Sequence, residues 1–273
     1  MTNPPLIACS RMYNVAPEVI EAWDAIFAHI SVASGVPLEV IYHAFPQSIE
    51  ELWSRPRLGC VLMCGYPYAR ATPRPTLLAS PIPSPAHYDD KPVYFSHLLV
   101  AEDSPFQSIE DTFGHRISWT IENSQSGYNA VRSFLLPYRT PERPRLYSES
   151  IGPIGTFTVG IEGIRNNEID VVPIDSFSYD LMARYVPDTV AGTRILATTP
   201  ASPFPPLIAG HDVDPSVADA LRSAILQLHH VPHLHEPLQL VMMKRFVGAD
   251  SAQFETTLKQ AAAAESAGYP VPA

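Results

Sequence analysis

Four consecutive residues, Ser124-Gln125-Ser126-Gly127, carry the sharpest chemical signal in the sequence. They precede Tyr128, Val131, Phe134 and Leu135, whose spacing predicts one apolar helix face. A helix start presents unpaired backbone N–H groups and the positive end of the macrodipole. Two hydroxyls beside it add donors, and a glycine lets a ligand approach the backbone closely. Together these residues form an oxyanion cradle. The plainer alternative is a serine-capped helix that binds nothing.

Other reactive side chains form no recognisable constellation. His229, His230, His233 and His235 crowd together, but Pro232 interrupts any helix that would align them. Glu236 is the only carboxylate near them, so a solvated loop is expected there and no metal is assigned. Cys9, Cys60 and Cys64 are odd in number and lack a CxxC pair, as expected of plain buried thiols. Cys64, beside Gly65 at a strand end, would act as a nucleophile only with His97 or His43 close by. Ser124 and Ser126 have no marked base. G-x-S-x-G, H-E-x-x-H and P-loop patterns are absent. No catalytic residue and no cofactor are therefore expected.

The elements that must position the cradle follow from periodicity. Leu6–Cys9 reads as a first buried strand, and Arg11–Asn14 as the loop after it. Pro17 opens a helix with Val19, Ile20, Trp23, Ile26, Phe27 and Ile30 at helical spacing, ended by Gly35. Leu38–Tyr42 is a strand, Ser48 caps a short helix, and Cys60–Met63 is a third strand running into a Gly65–Tyr68 loop. This β-α-β-α-β order predicts a parallel sheet, with ligands at the carboxyl ends of its strands. Residues 73–92 are proline-rich, interrupted by small strands. Further strands are expected at Tyr94–Ala101, Arg116–Ile121, Ile169–Ile174 and Arg194–Thr198, with a helix around Val159, Ile161 and Ile164. Asp214 caps a helix that begins at Pro215, another spans about 251–264, and the tail from Gly268 is expected to be loose.

The expected division is an interrupted first unit, 1–98 with 199–273, and an inserted second unit, 99–198. The lobes should split near 97–101 and 193–200, with adjacent strands at both crossings. A net charge of -10 without a basic block disfavours nucleic acid and anionic membranes as partners. No apolar run reaches the roughly 20 residues of a membrane span.

Several short stretches, in order, resemble the phosphate/phosphite/phosphonate substrate-binding proteins of ABC importers. They are Met12-Tyr13, the Cys64-Gly65-Tyr66-Pro67-Tyr68 turn, and Tyr94 with Ser96. Asp103-Ser104-Pro105, the Asp111–Gly114 turn, Ser124-Gln125-Ser126-Gly127-Tyr128 and Ile169 through Ser176 follow. The resemblance implies an α/β, two-lobed, type 2 periplasmic-binding fold with a two-strand hinge and a ligand cleft between the lobes. It puts Ser124, Gln125, Ser126 and Gly127 on the ligand's anionic end and lines the cleft with Tyr66, Tyr68 and Tyr94; Tyr13 is expected to add its ring or hydroxyl to the same cleft. Asp175 would accept from a donor on the ligand, such as an amine. Two departures stand out. Gln125 takes the place of a frequent threonine, and Phe157 stands where many relatives have histidine. Phe157 removes a donor and adds apolar surface, which favours a less charged or partly aromatic ligand.

The function this implies is solute capture for an importer, with an oxyanion or phosphonate-like compound as ligand and an ABC permease as partner. The alternative is a cytoplasmic enzyme or ligand sensor on the same scaffold. The opening Met-Thr-Asn-Pro-Pro lacks a secretory pattern. The expected location is thus cytoplasmic as the sequence is written, or periplasmic if a leader was removed.

Overall fold

The computed structural model describes residues 4–273; Met1–Asn3, on which the leader reading partly rests, lie outside the described residues. The chain divides into two compact units. Unit 1 runs to Val93 and resumes over Pro203–Phe254, while unit 2 comprises Tyr94–Ser202 and Glu255–Ala273.

Unit 1 opens with β1 (Leu6–Cys9), α1 (Pro17–Ser34), β2 (Leu38–Val40), α2 (Ile49–Trp53), β3 (Leu58–Leu62), α3 (Gly65–Arg70) and β4 (Thr76–Pro83). Of the stripe its spacing predicts, helix α1 buries Val19, Trp23, Ile26, Phe27 and Ile30, and Ile20 is only partly buried. It stops at Gly35, whose φ of 68° is open to glycine at no steric cost. Ser48 Oγ accepts from the Glu50 N–H and so caps α2. Gly65–Tyr68, expected as a loop, is the first part of α3. The proline-rich stretch holds one eight-residue strand, β4, rather than small fragments.

Strand β5 (Val93–Tyr94) leads into unit 2. There follow β6 (Ser96–Ala101), β7 (Arg116–Ser118), a π-helical turn at Gln125–Asn129 continuing into α4 (Ala130–Leu135), and β8 (Glu149–Ile151). Next come α5 (Phe157–Arg165), β9 (Val172–Asp175), α6 (Ser176–Tyr185), β10 (Thr193–Thr198) and β11 (Ser202–Pro203). Strand β6 pairs antiparallel with both β9 and β10, and β7 pairs parallel with β8. A parallel bridge from Ile117 to Val171 joins β7 to β9. Helix α6 is a full element where the sequence shows only Asp175 and Ser176 at a strand end. One core cluster gathers Leu98, Val100, Ile117, Val131, Leu135, Tyr147 and Val171. A second gathers Leu99, Ile161, Ile164, Val172 and Ile174. Alternation along β6 sends Leu98 and Leu99 to opposite clusters.

Back in unit 1 the chain forms β12 (Leu207–Ala209), α7 (Pro215–Leu226), α8 (His235–Leu240), β13 (Met243–Val247) and the start of α9 (Ser251–Ser266). The unit 1 sheet has the order β13-β4-β12-β3-β1-β2, with β1, β2 and β3 mutually parallel. Asp214 caps α7 through Ser216 N–H, with Pro215 at its first position.

The chain crosses between units at Val93/Tyr94 and Ser202/Pro203, inside β5 and β11, which pair with each other. A third crossing, at Phe254/Glu255, falls inside α9. Strands β6 and β10, expected at the crossings, instead pair within unit 2. Residues from Glu255 belong to unit 2, whereas the sequence reading grouped them with the first unit. The tail is not loose: Leu146 N–H donates to Ala273 O (3.0 Å), Tyr128 OH to Pro270 O, and Ala264, Tyr269 and Ala273 join the first core cluster. Tail residues Tyr269 and Val271 supply the apolar contacts that hold it.

Candidate functional site

Three parallel strands of unit 2 end at one edge of their sheet, and each leads into a helix. Strand β7 leads to the helical run from Gln125, β8 to α5, and β9 to α6. Each helix is capped by a side-chain oxygen at its start. Ser124 Oγ accepts from Gly127 N–H at 2.8 Å, Thr156 Oγ1 from Val159 N–H at 3.4 Å, and Asp175 Oδ1 from Ser178 N–H at 2.8 Å. The carboxyl edge of this sheet therefore collects the positive ends of three helices. That is the face on which parallel α/β sheets bind ligands.

The four residues of the predicted cradle have distinct roles. Ser124 is the cap, so its hydroxyl oxygen and the Gly127 N–H are already paired with each other. Asn129 N–H reaches back to Ser124 O, and Ala130 N–H to Gln125 O, which widens the first turn into a π turn. Ser126 is 4% exposed, and among the described residues its hydroxyl has no hydrogen-bond partner. Gly127 is glycine for a reason other than the one expected: a Cβ there would lie 2.2 Å from Thr120 Oγ1. The residue is small to admit the threonine side chain.

Gln125 turns inward and is fully buried. Its Nε2 donates to Gln260 Oε1 (2.7 Å) and Ser202 Oγ (3.1 Å), and its Oε1 accepts from Asn129 Nδ2 (2.8 Å). Asn129 Nδ2 also donates to Thr257 O, and Arg132 donates to Asn129 Oδ1 and to Tyr269 O and Pro270 O. This network ties the helical run to α9 and the tail. Gln125 thus serves as an internal tie, where the resemblance implied a ligand contact.

Asp175 is buried and caps α6, and the neighbouring Ser176 Oγ accepts from Phe95 N–H. Tyr94 is fully buried in β5. Phe157 is half-buried at the start of α5, against the cluster of Leu99, Ile161 and Ile174. Sequence reasoning passed over Trp119 and Thr120, which it merged into a strand. Both lie past the end of β7, and both are buried with a polar atom, Nε1 and Oγ1, that lacks a partner among the described residues. The usable signal was a hydroxyl and an indole at a strand end just before a capped helix.

Unit 1 holds the other three expected tyrosines, all buried. Tyr13 lies in the turn after β1, its ring 5.6 Å from that of Phe204. Tyr66 and Tyr68 lie in α3, directly after β3, the neighbour of β1. Arg70 sits over the Tyr66 ring at 5.2 Å, and Tyr68 meets Phe254 edge-on at 5.0 Å. Arg11 donates to His43 O and Gln47 O, which fixes the loop beyond β2 against the turn after β1. The three tyrosines share the carboxyl edge of the unit 1 sheet, as the three helix starts share that of unit 2.

All three cysteines are free and buried, and burial pushes the Cys9 and Cys60 thiols above their ordinary range. Among the described residues no group of three His, Cys, Asp or Glu side chains converges as a metal site. The His229 and His230 rings lie tilted against each other, centroids 3.9 Å apart, and His233 meets His29 of α1 edge-on. Among the described residues, no helix is long and apolar enough to cross a membrane.

The model of the family described as "ABC transporter, phosphonate, periplasmic substrate-binding protein" matches residues 13–254. The chain belongs to this family. As a phosphonate-type substrate-binding protein it is a solute-capturing component of an ABC importer rather than a member of an enzyme family. A search of curated proteins finds no match.

Solved structures show the same type 2 periplasmic-binding fold. The binding component of an ABC phosphonate transporter from Pseudomonas aeruginosa is 14% identical, with a TM-score of 0.80 over 98% of this chain and 88% of that one. PhnD1 from Prochlorococcus marinus, in complex with methylphosphonate, is 17% identical with a TM-score of 0.77, over 97% and 98% of the two chains. A Xanthomonas citri protein bound to ATP is 17% identical with a TM-score of 0.68, also over 97% and 98%.

Proposed function

We propose that this phosphonate-type binding protein captures a small oxyanion, with a phosphonate or phosphate group as the anchoring end. The observation that carries the proposal is the edge of unit 2 where three capped helices begin and where the Ser126 hydroxyl has no partner among the described residues. Helix starts favour negative charge, and an unpaired hydroxyl beside one supplies a directed donor. The methylphosphonate of PhnD1 and the ATP of the Xanthomonas citri protein both carry such an end. Phe157 at the start of α5 supports a ligand with an apolar or aromatic portion beyond the anion, since it offers ring surface and no donor.

Capture for an importer requires the working protein on the outer side of the membrane that holds the permease. Recovery of the protein in a periplasmic extract is the expected result.

The test is a thermal-shift and calorimetric screen of methylphosphonate, inorganic phosphate and ATP against acetate and simple amines. A ligand that binds only the native state raises the melting temperature with concentration. The proposal expects shifts from the phosphorus oxyanions alone. Shifts from amines alone would overturn it.

A further inference from the structure

We infer that Thr120 is a ligand-binding residue, whose hydroxyl donates to the oxyanion at the start of the Gln125 helix. This rests on the oxyanion reading and adds a donor to that same site.

Thr120 is held between two helix starts. Its N–H donates to Gly127 O (3.2 Å), in the first turn of the run that continues unbroken through α4. Its carbonyl accepts from Gly155 N–H (3.1 Å), one residue before Thr156, the cap of α5. The backbone of one residue thus stitches both starts together, and its side chain lies against the Gly127 Cα.

The hydroxyl itself is the anomaly. Thr120 is 4% exposed, and its Oγ1 has no partner among the described residues. A buried hydroxyl without a partner is destabilising, and such groups are uncommon in native proteins. Valine has nearly the same shape and carries no such penalty, so packing alone does not call for threonine here. A partner supplied by a ligand accounts for it. Trp119 repeats the pattern: its Nε1–H is also buried and unpartnered, with the indole confined by Gly152 and by Tyr128 at 5.3 Å. Two successive residues just past β7 hold polar atoms without a partner among the described residues.

The ligand class follows from the donors. Ser126 and Thr120 are neutral hydroxyls beside helix starts, and the nearest arginine in the run, Arg132, is engaged with Asn129 Oδ1 and with tail carbonyls. A tetrahedral oxyanion with several acceptor oxygens suits such neutral donors.

Calorimetric titration of the full chain with methylphosphonate and with inorganic phosphate tests this, using wild type, Thr120→Val and Thr120→Ser. The expected result is affinity about tenfold or more weaker for Thr120→Val, the loss of one hydrogen bond to a charged group, with Thr120→Ser within about threefold of wild type. Without ligand, Thr120→Val should melt no lower than wild type, because the change removes an unpaired hydroxyl. Wild-type affinity in the valine variant would overturn the inference and leave the oxyanion reading standing. A valine variant that melts well below wild type while the serine variant does not would reveal an internal bond, and would overturn it as well. Failure of wild type to bind either probe would overturn the oxyanion reading, and this inference with it.

Discussion

Gln125 and Gln260 lie 135 positions apart in sequence, yet their side-chain amides meet at 2.7 Å inside unit 2. Gln125 Nε2 donates to Gln260 Oε1, and Asn129 closes the network from the next turn. Replacing Gln260 with alanine takes away that acceptor. The expected loss is about 1–3 kcal/mol of stability, the cost of a buried amide left short of a partner. Urea unfolding followed by circular dichroism measures it. Ligand affinity should hold near wild type, since the network lies behind the helix start.

Ser124 and Ser126 should separate cleanly. Ser124→Ala removes the cap on the Gly127 N–H and should cost about 1 kcal/mol of stability. Ser126→Ala removes a hydroxyl with no internal partner, so stability should barely change while oxyanion affinity falls about tenfold or more. Parallel denaturation and titration of the two variants check this. Equal behaviour of the two would contradict the division of roles.

The Arg116–Asp170 pair sets a pH dependence. Asp170 accepts from Arg116 Nε (2.8 Å), from its second guanidinium nitrogen (3.0 Å) and from its backbone N–H (2.9 Å). These bonds, the Arg116 side chain first, hold the Asp170 carboxyl below its ordinary range. A carboxyl depressed in the folded state stabilises at pH values above the unfolded carboxylate range. That contribution fades as pH falls toward the lowered folded value. Asp170→Asn should therefore be less stable than wild type by about 1.5–3 kcal/mol at neutral pH. The gap should begin to narrow below about pH 4 and shrink further as pH falls. Denaturation midpoints from pH 7 to pH 3 provide the check, and a gap that widens in acid would refute the assignment.

Tyr128 anchors the tail through Pro270 O. Tyr128→Phe keeps the ring against Trp119 and beneath Arg132 but deletes the bond. A loss of about 1 kcal/mol is expected. Hydrogen exchange should speed up at the Leu146 amide, which pairs with the tail at Ala273 O.

Much of this architecture is legible in the sequence because local rules decide it. The Pro17 start, the Gly35 stop, and the caps at Ser48, Ser124 and Asp214 all depend on neighbours within a few residues, and each is found where spacing predicts. The prolines at 81 and 83 misled, because proline's dislike of strands yields where the ladder does not need its N–H. Helix α6 was missed because Asp175 and Ser176 read as the end of a strand, although Asp175 is a cap. Of the site, the helix start at Ser124 is plain, but the inward turn of Gln125 is not. That depends on Gln260, which no local pattern can place. The place of Thr120 just before a capped helix was legible, but its lack of a partner is a fact of three dimensions.

The late membership of Glu255–Ala273 in unit 2 bears on how the chain acquires its structure during synthesis. Residues 94–202 leave the ribosome well before Gln260, Ala264, Tyr269 and Ala273 exist. The nascent unit 2 is therefore an unfinished body with exposed apolar surface, the kind of species that chaperones hold. Unit 1 also waits, for β12 and β13, which lie earlier in the chain. Translation thus completes the sheet of unit 1 first and seals unit 2 only once residues 255–273 follow.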